Sequence, residues 1–85
     1  MRIKENFVVH KTDGQQVMID VTGRFSGLVR NNSTAAFIVE CLMEETTVEG
    51  IVDKMAAKYD VSKEVLRRDV TAVLEQFRKV GAIEE

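Results

Sequence analysis

The sequence contains no proline and no low-complexity run, so it offers no polyproline segment and no spacer between domains. It has one cysteine, Cys41, which excludes an internal disulfide and any multi-thiolate metal site. His10 is the only histidine, so no Cys-His or Ser-His-Asp set and no His-rich metal site can be assembled. No stretch approaches the roughly 20 apolar residues of a membrane span, and Met1-Arg2-Ile3-Lys4-Glu5-Asn6 lacks the apolar middle of a signal peptide. A cytoplasmic protein with no membrane association is expected. Excess positive charge is missing too: the net charge is −2. Because neutralising phosphates supplies most nucleic-acid affinity, that balance argues against such a ligand. The glycines fit neither a G-x-G-x-x-G nor a P-loop pattern. No cofactor is implied.

What the sequence does contain is a change of period. Its 85 residues make one domain, 1–85. A chain this short buries roughly 60–65% of its unfolded surface, enough to fold alone with modest stability. Up to about Arg30 the apolar residues alternate, and from Ser33 they recur at helical spacing in three blocks. Phe7 to Lys11 reads as a first strand. Gln16 to Val21 reads as a second, with Val17, Ile19 and Val21 on one face and Met18 and Asp20 on the other. Asp13-Gly14 between them signals a hairpin. A two-residue turn would set Val17 and Ile19 beside His10 and Val8. A three-residue Thr12-Asp13-Gly14 loop would set them beside Phe7 and Val9, and is preferred because it gathers the apolar side chains. Phe25 to Arg30 supplies a short third strand at the edge of the sheet.

Asn31-Asn32-Ser33-Thr34 offers N-caps for a first helix, Thr34 to about Met43, which is apolar almost all round and therefore buried on several sides. Thr46-x-x-Glu49 reads as a capping box for a second helix with the stripe Val48, Ile51, Val52, Met55, Ala56, Tyr59. Asp60-Val61-Ser62 ends it and caps a third, whose buried face is Leu66, Val70, Val73, Leu74, Phe77 and Val80. Gly81 stands at a C-cap position after Arg78 and Lys79. The fold class is thus α+β and winged-helix-like, an N-terminal three-stranded antiparallel β-sheet followed by a three-helix bundle.

Cys41 lies in the most apolar helix and reads as a buried thiol, and His10 as a strand residue facing solvent. The carboxylates are scattered along helix surfaces in pairs such as Glu64 with Arg68. With no catalytic set, function falls to surfaces. One is the third helix, where Lys63, Arg67, Arg68, Arg78 and Lys79 outnumber Glu64, Asp69 and Glu75. The other is the third strand, whose unpaired edge can dock another chain.

Phe25-Ser26-Gly27-Leu28-Val29-Arg30-Asn31-Asn32-Ser33-Thr34-Ala35-Ala36-Phe37-Ile38 resembles one family, as do Thr46-Thr47-Val48-Glu49-Gly50-Ile51-Val52, Tyr59-Asp60-Val61-Ser62, Arg68-Asp69-Val70 and Val80-Gly81-Ala82-Ile83. Together, over nearly the whole chain, they resemble the PqqD family of peptide chaperones, or RiPP recognition elements. The resemblance implies a non-catalytic adaptor. It would take the leader of a ribosomally made precursor peptide as an extra strand and present it to a modifying enzyme, commonly a radical S-adenosylmethionine enzyme. Its peptide-binding residues would then be Phe25, Leu28, Val29, Arg30, Arg67, Thr71, Leu74 and Arg78. Main-chain bonds from Leu28, Val29 and Arg30 would set the register, Thr71 and Leu74 would line a groove, and Arg67 and Arg78 would pair with acidic leader residues. Proline at Val29 with alanine at Arg67 would abolish binding without unfolding the domain. The alternatives are a winged-helix DNA-binding domain, with Arg67 and Arg68 near a groove, and an oligomerisation module; a homodimer through the open strand is a further possibility.

Overall fold

The Asp13-Gly14 dipeptide closes a hairpin and fixes the register of the sheet around it. In the computed structural model, which describes residues 1–85, Asp13 has φ 49° and Gly14 φ 74°. Two successive positive φ values make a two-residue I′ turn, whose twist matches that of the strands it joins. The strands are β1 Arg2–Ile3, β2 Phe7–Thr12, β3 Gln15–Asp20 and β4 Leu28–Asn31. Helices α1 Ser33–Leu42, α2 Val48–Lys58 and α3 Lys63–Lys79 follow, then β5 Ile83–Glu84. The main sheet is antiparallel in the order β2-β3-β4, which leaves one side of β4 unpaired.

Thr12 pairs with Gln15, His10 with Val17 and Val8 with Ile19. The three-residue loop expected from the sequence is therefore incorrect, and so is the placing of Phe7 and Val9 beside Val17 and Ile19: they share the face of Met18 and Asp20. The inner face carries Met18, fully buried, with Phe7, Gln16 and Asp20 almost as covered. Ile19, Val21 and Leu28 lie exposed on the outside. Two buried polar residues are tolerated there because both are hydrogen-bonded, which removes most of the penalty of burial.

The helices form where the period predicts. Ile38, Val39 and Leu42 of α1 are fully buried, as are Ile51 and Val52 of α2 and Val70 and Leu74 of α3. Asn32 caps α1 by accepting from the Ala35 amide at 2.8 Å. Ser62 caps α3 by accepting from Val65 at 3.3 Å. At α2 the cap is Thr47, accepting from Gly50 at 3.0 Å, so the Thr46-x-x-Glu49 box does not form. Glu49 instead reaches Arg67 of α3.

Gly81, with φ 79°, ends α3 in a Schellman motif. Its amide donates to Arg78 at 3.0 Å and that of Ala82 to Phe77 at 2.9 Å. The chain then runs into β5, which pairs antiparallel with β1 and ties the two ends together. This two-stranded strap was not foreseen. No helix is long and apolar enough to cross a membrane.

Candidate functional site

β4 meets the criteria for a docking rail, and hydrogen-bond parity specifies which of its groups are free. Around a two-residue turn the flanking residues Thr12 and Gln15 form a bonded pair. Antiparallel ladders alternate, so Val17 and Ile19 also bond toward β2 while Gln16 and Met18 bond toward β4. Their partners are Asn31 and Val29. The backbone N–H and C=O groups of Leu28 and Arg30 therefore point away from the sheet. Of the three rail residues expected, Val29 is spent within the sheet. A proline there would break the β3–β4 ladder rather than leave the domain intact.

The side chains alternate oppositely. Val29 and Asn31 face the helices, Leu28 and Arg30 the outer side. Between β4 and α3 lies an open cleft of about 300 Å³ lined by Val29, Arg30, Asn31, Asn32, Ala35, Val73, Gln76, Phe77 and Val80. Val73 and Val80, assigned to the buried face of α3 from the sequence, are only half-buried. They form the apolar wall of this cleft, with amides of Asn31, Asn32 and Gln76 along its rim.

The α3 residues expected in the groove lie elsewhere. At about 100° per residue, Arg67, Thr71 and Arg78 point roughly 150° away from the cleft-lining residues. Arg67 and Thr71 line a separate shallow depression with Glu64, Val65 and Arg68. Leu74 is fully buried and presents nothing to a ligand. Val73, Gln76, Phe77 and Val80 are the wall residues that the sequence reading did not assign. Their signal was the wide apolar stripe on α3, broader than one core face requires.

Nor is α3 a cationic wall. Arg67 is clamped by Glu49, with Nη2 to Oε2 at 3.0 Å. Lys63 meets Asp53 at 3.1 Å, and Arg78 meets Glu85 at 2.7 Å and Glu75 at 3.4 Å. The expected pair of Glu64 with Arg68 is not formed; Glu49 and Asp53 link α3 to α2, Glu85 links it to the chain end, and Glu75 pairs within α3 itself. Of the five cations on α3, only Arg68 and Lys79 make no ion pair. That leaves too little free charge on one face for a phosphate-binding helix. Hydrogen bonding to Glu49 raises Arg67 above its usual range, and that to Glu85 does the same for Arg78.

Phe25 precedes the rail rather than forming part of it, in the connection that delivers β4. That connection is organised by Asp20, almost fully buried at the end of β3. Its Oδ1 accepts from Asn6 Nδ2 at 3.0 Å, from the Thr22 amide at 2.9 Å and from the Thr22 hydroxyl at 2.6 Å. Its Oδ2 accepts from the Phe25 amide at 2.9 Å. These bonds, Asn6's first and Thr22's next, hold the Asp20 carboxyl far below the usual carboxylate range. The other end of the rail is fixed by amides. Asn31 Nδ2 donates to Gln16 Oε1 at 2.7 Å, and Gln16 Nε2 reaches the Ala36 carbonyl at 3.4 Å.

Cys41 is buried in α1, and burial pushes its thiol above its ordinary pKa. No three His, Cys, Asp or Glu residues come together as a metal site. The chemistry this arrangement offers is recognition: a backbone edge beside an apolar slot.

The sequence profile described as Coenzyme PQQ synthesis protein D (PqqD) matches residues 13–83. The chain belongs to the PqqD family. Its fold is shared with two solved structures. One is described as TbiB1 in complex with the TbiA(beta) leader peptide, with a TM-score of 0.87, 23% identity, and coverage of 99% of this chain and 95% of that one. The other is described as lasso peptide synthetase B1 complexed with the leader peptide, with a TM-score of 0.83, 24% identity, and coverage of 99% and 96%. The comparison with curated proteins finds none that matches. PqqD-family membership rests on a span from the I′ turn to β5, which includes the whole of β4 and the cleft.

Proposed function

We propose that this domain binds the leader segment of a ribosomally made precursor peptide as an added strand on β4 and presents it to a peptide-modifying enzyme, performing no reaction itself. The open β4 edge beside the Val73-Phe77-Val80 cleft carries this reading. An extended guest antiparallel to β4 would exchange main-chain hydrogen bonds with Leu28 and Arg30, and every second side chain would enter the cleft. Support comes also from the two structures that share the fold, both described as leader-peptide complexes, one of them of a lasso peptide synthetase component. The family description points to pyrroloquinoline quinone synthesis as one route in which such an adaptor acts. The modifying partner is then a radical S-adenosylmethionine enzyme or another enzyme acting on the same peptide.

The test is fluorescence anisotropy with the labelled leader of a precursor peptide whose gene is found adjacent to this one. Saturable binding that is lost when the outward edge of β4 is blocked supports the proposal. Absence of binding, or binding unaffected by blocking that edge, contradicts it.

A further inference from the structure

The sheet register sorts the side chains into four cross-strand rows, two of them wholly apolar, each ending at the open edge. On the outer side Val8, Ile19 and Leu28 form an apolar row. Beside it run His10, Val17 and Arg30. On the inner side Val9, Met18 and Val29 form a second apolar row, which opens into the cleft. Lys11, Gln16 and Asn31 form a polar one. A guest strand adds one residue to each row, and cross-strand neighbours are the unit of sheet recognition.

Resting on the strand-addition reading above, we infer that β4 selects a four-residue leader motif which reads, from N to C, hydrogen-bond donor, acid, apolar, apolar. In an antiparallel guest the first residue lies opposite Asn31, the second opposite Arg30, the third opposite Val29 and the fourth opposite Leu28.

Each choice has its own reason. Asn31 gives one Nδ2 hydrogen to Gln16 and its Oδ1 accepts no bond within the chain, so a neighbour that donates is favoured: Ser, Thr, Asn or Gln. Arg30 is exposed, makes no ion pair within the chain and has no carboxylate in its row, so an opposing Asp or Glu gains a charge partner. The third side chain enters the slot between Val29, Val73, Phe77 and Val80, which carries no acid and accepts an aliphatic or aromatic group. The fourth extends the Val8-Ile19-Leu28 row, and covers part of Leu28, which is 48% exposed.

The test uses fluorescein-labelled peptides carrying Ser-Glu-Leu-Val in a Thr/Ala background, measured by anisotropy and by competition. Changing the Glu to Lys weakens binding roughly five-fold, and Arg30→Glu reverses the preference between the two. Arg30→Ala abolishes the preference, a second check should the reversal variant fold poorly. Replacing the Leu by Asp weakens binding by about tenfold or more, because the slot then takes a charge. Reversing the window to Val-Leu-Glu-Ser also weakens binding. Equal affinity for all peptides, with binding still lost in Arg30→Pro, overturns the motif and leaves strand addition standing. Equal affinity that Arg30→Pro leaves unchanged overturns both.

Discussion

Proline substitutions at two neighbouring positions separate the rail from the ladder. Arg30→Pro removes an N–H that points out of the sheet, at an edge position where proline is tolerated. Val29 before it is already extended, as a residue preceding proline prefers. The Arg30 side chain is exposed and unpaired, so folding stability changes by no more than about 1 kcal/mol. A bound guest, however, loses its donor to one carbonyl and meets the pyrrolidine ring. Leaving that carbonyl unbonded costs about 1–3 kcal/mol, or roughly a five-fold to 150-fold rise in Kd. Val29→Pro acts in the opposite sense. It deletes the bond to Met18 at the centre of the sheet and leaves the Met18 carbonyl unbonded, costing about 1–3 kcal/mol, a large share of the roughly 5 kcal/mol a domain of this size commands. Urea titration followed by circular dichroism reads the first quantity, and anisotropy with the leader peptide the second. Arg30→Ala serves as the control for loss of the guanidinium. A stable Val29→Pro that no longer binds, beside an unfolded Arg30→Pro, would refute the parity assigned to β4.

Three further outcomes follow from the same geometry. Asp20→Asn lowers the Tm at pH 7, because an amide nitrogen cannot accept from Phe25; the Asp20 carboxyl is depressed in the folded state, so its contribution is complete above the ordinary Asp value of about 4 and fades as pH falls, and the gap between the two proteins closes in acid. Thermal melts across that range check this. Leu74→Ala costs roughly 2–5 kcal/mol in urea titration, whereas Val73→Ser weakens peptide binding and shifts stability far less, since only Leu74 is sealed in the core. Arg67→Ala leaves leader affinity unchanged in anisotropy, because that side chain is held by Glu49 on the side of α3 away from the cleft.

The helices were legible in the sequence almost residue by residue. Their stripes are long, their caps are Asn32 and Ser62, and Gly81 sits where a left-handed residue is needed. The cap of α2 falls on Thr47 rather than Thr46, two chemically equivalent candidates one residue apart, and Glu49 pairs with Arg67 rather than closing a capping box. The sheet misled for a more instructive reason. Val17, Ile19 and Val21 make the more apolar face of β3, yet the protein buries Gln16, Met18 and Asp20. Alternation reports which face is apolar, and it equals the buried face only when the other face has no task and the buried polar groups have no partners. Here Asp20 and Gln16 are satisfied by bonds to Asn6, Thr22, Phe25 and Asn31, contacts that no local pattern announces. The same blindness moved the groove: the edge strand was visible, but which side of α3 faces it depends on how three helices pack. The β1–β5 strap is too short to carry any periodicity.

Amide hydrogen exchange at β4, measured by NMR with and without leader peptide, bears most directly on the recognition mechanism. Free protein should show slow exchange at Val29 and Asn31, which bond to β3, and fast exchange at Leu28 and Arg30. On adding peptide, Leu28 and Arg30 should become protected while Val29 and Asn31 change little. Leu28 and Arg30 amides that stay fast in a saturated complex, with new protection on the Arg67-Thr71 face of α3 instead, would show that the peptide is held elsewhere.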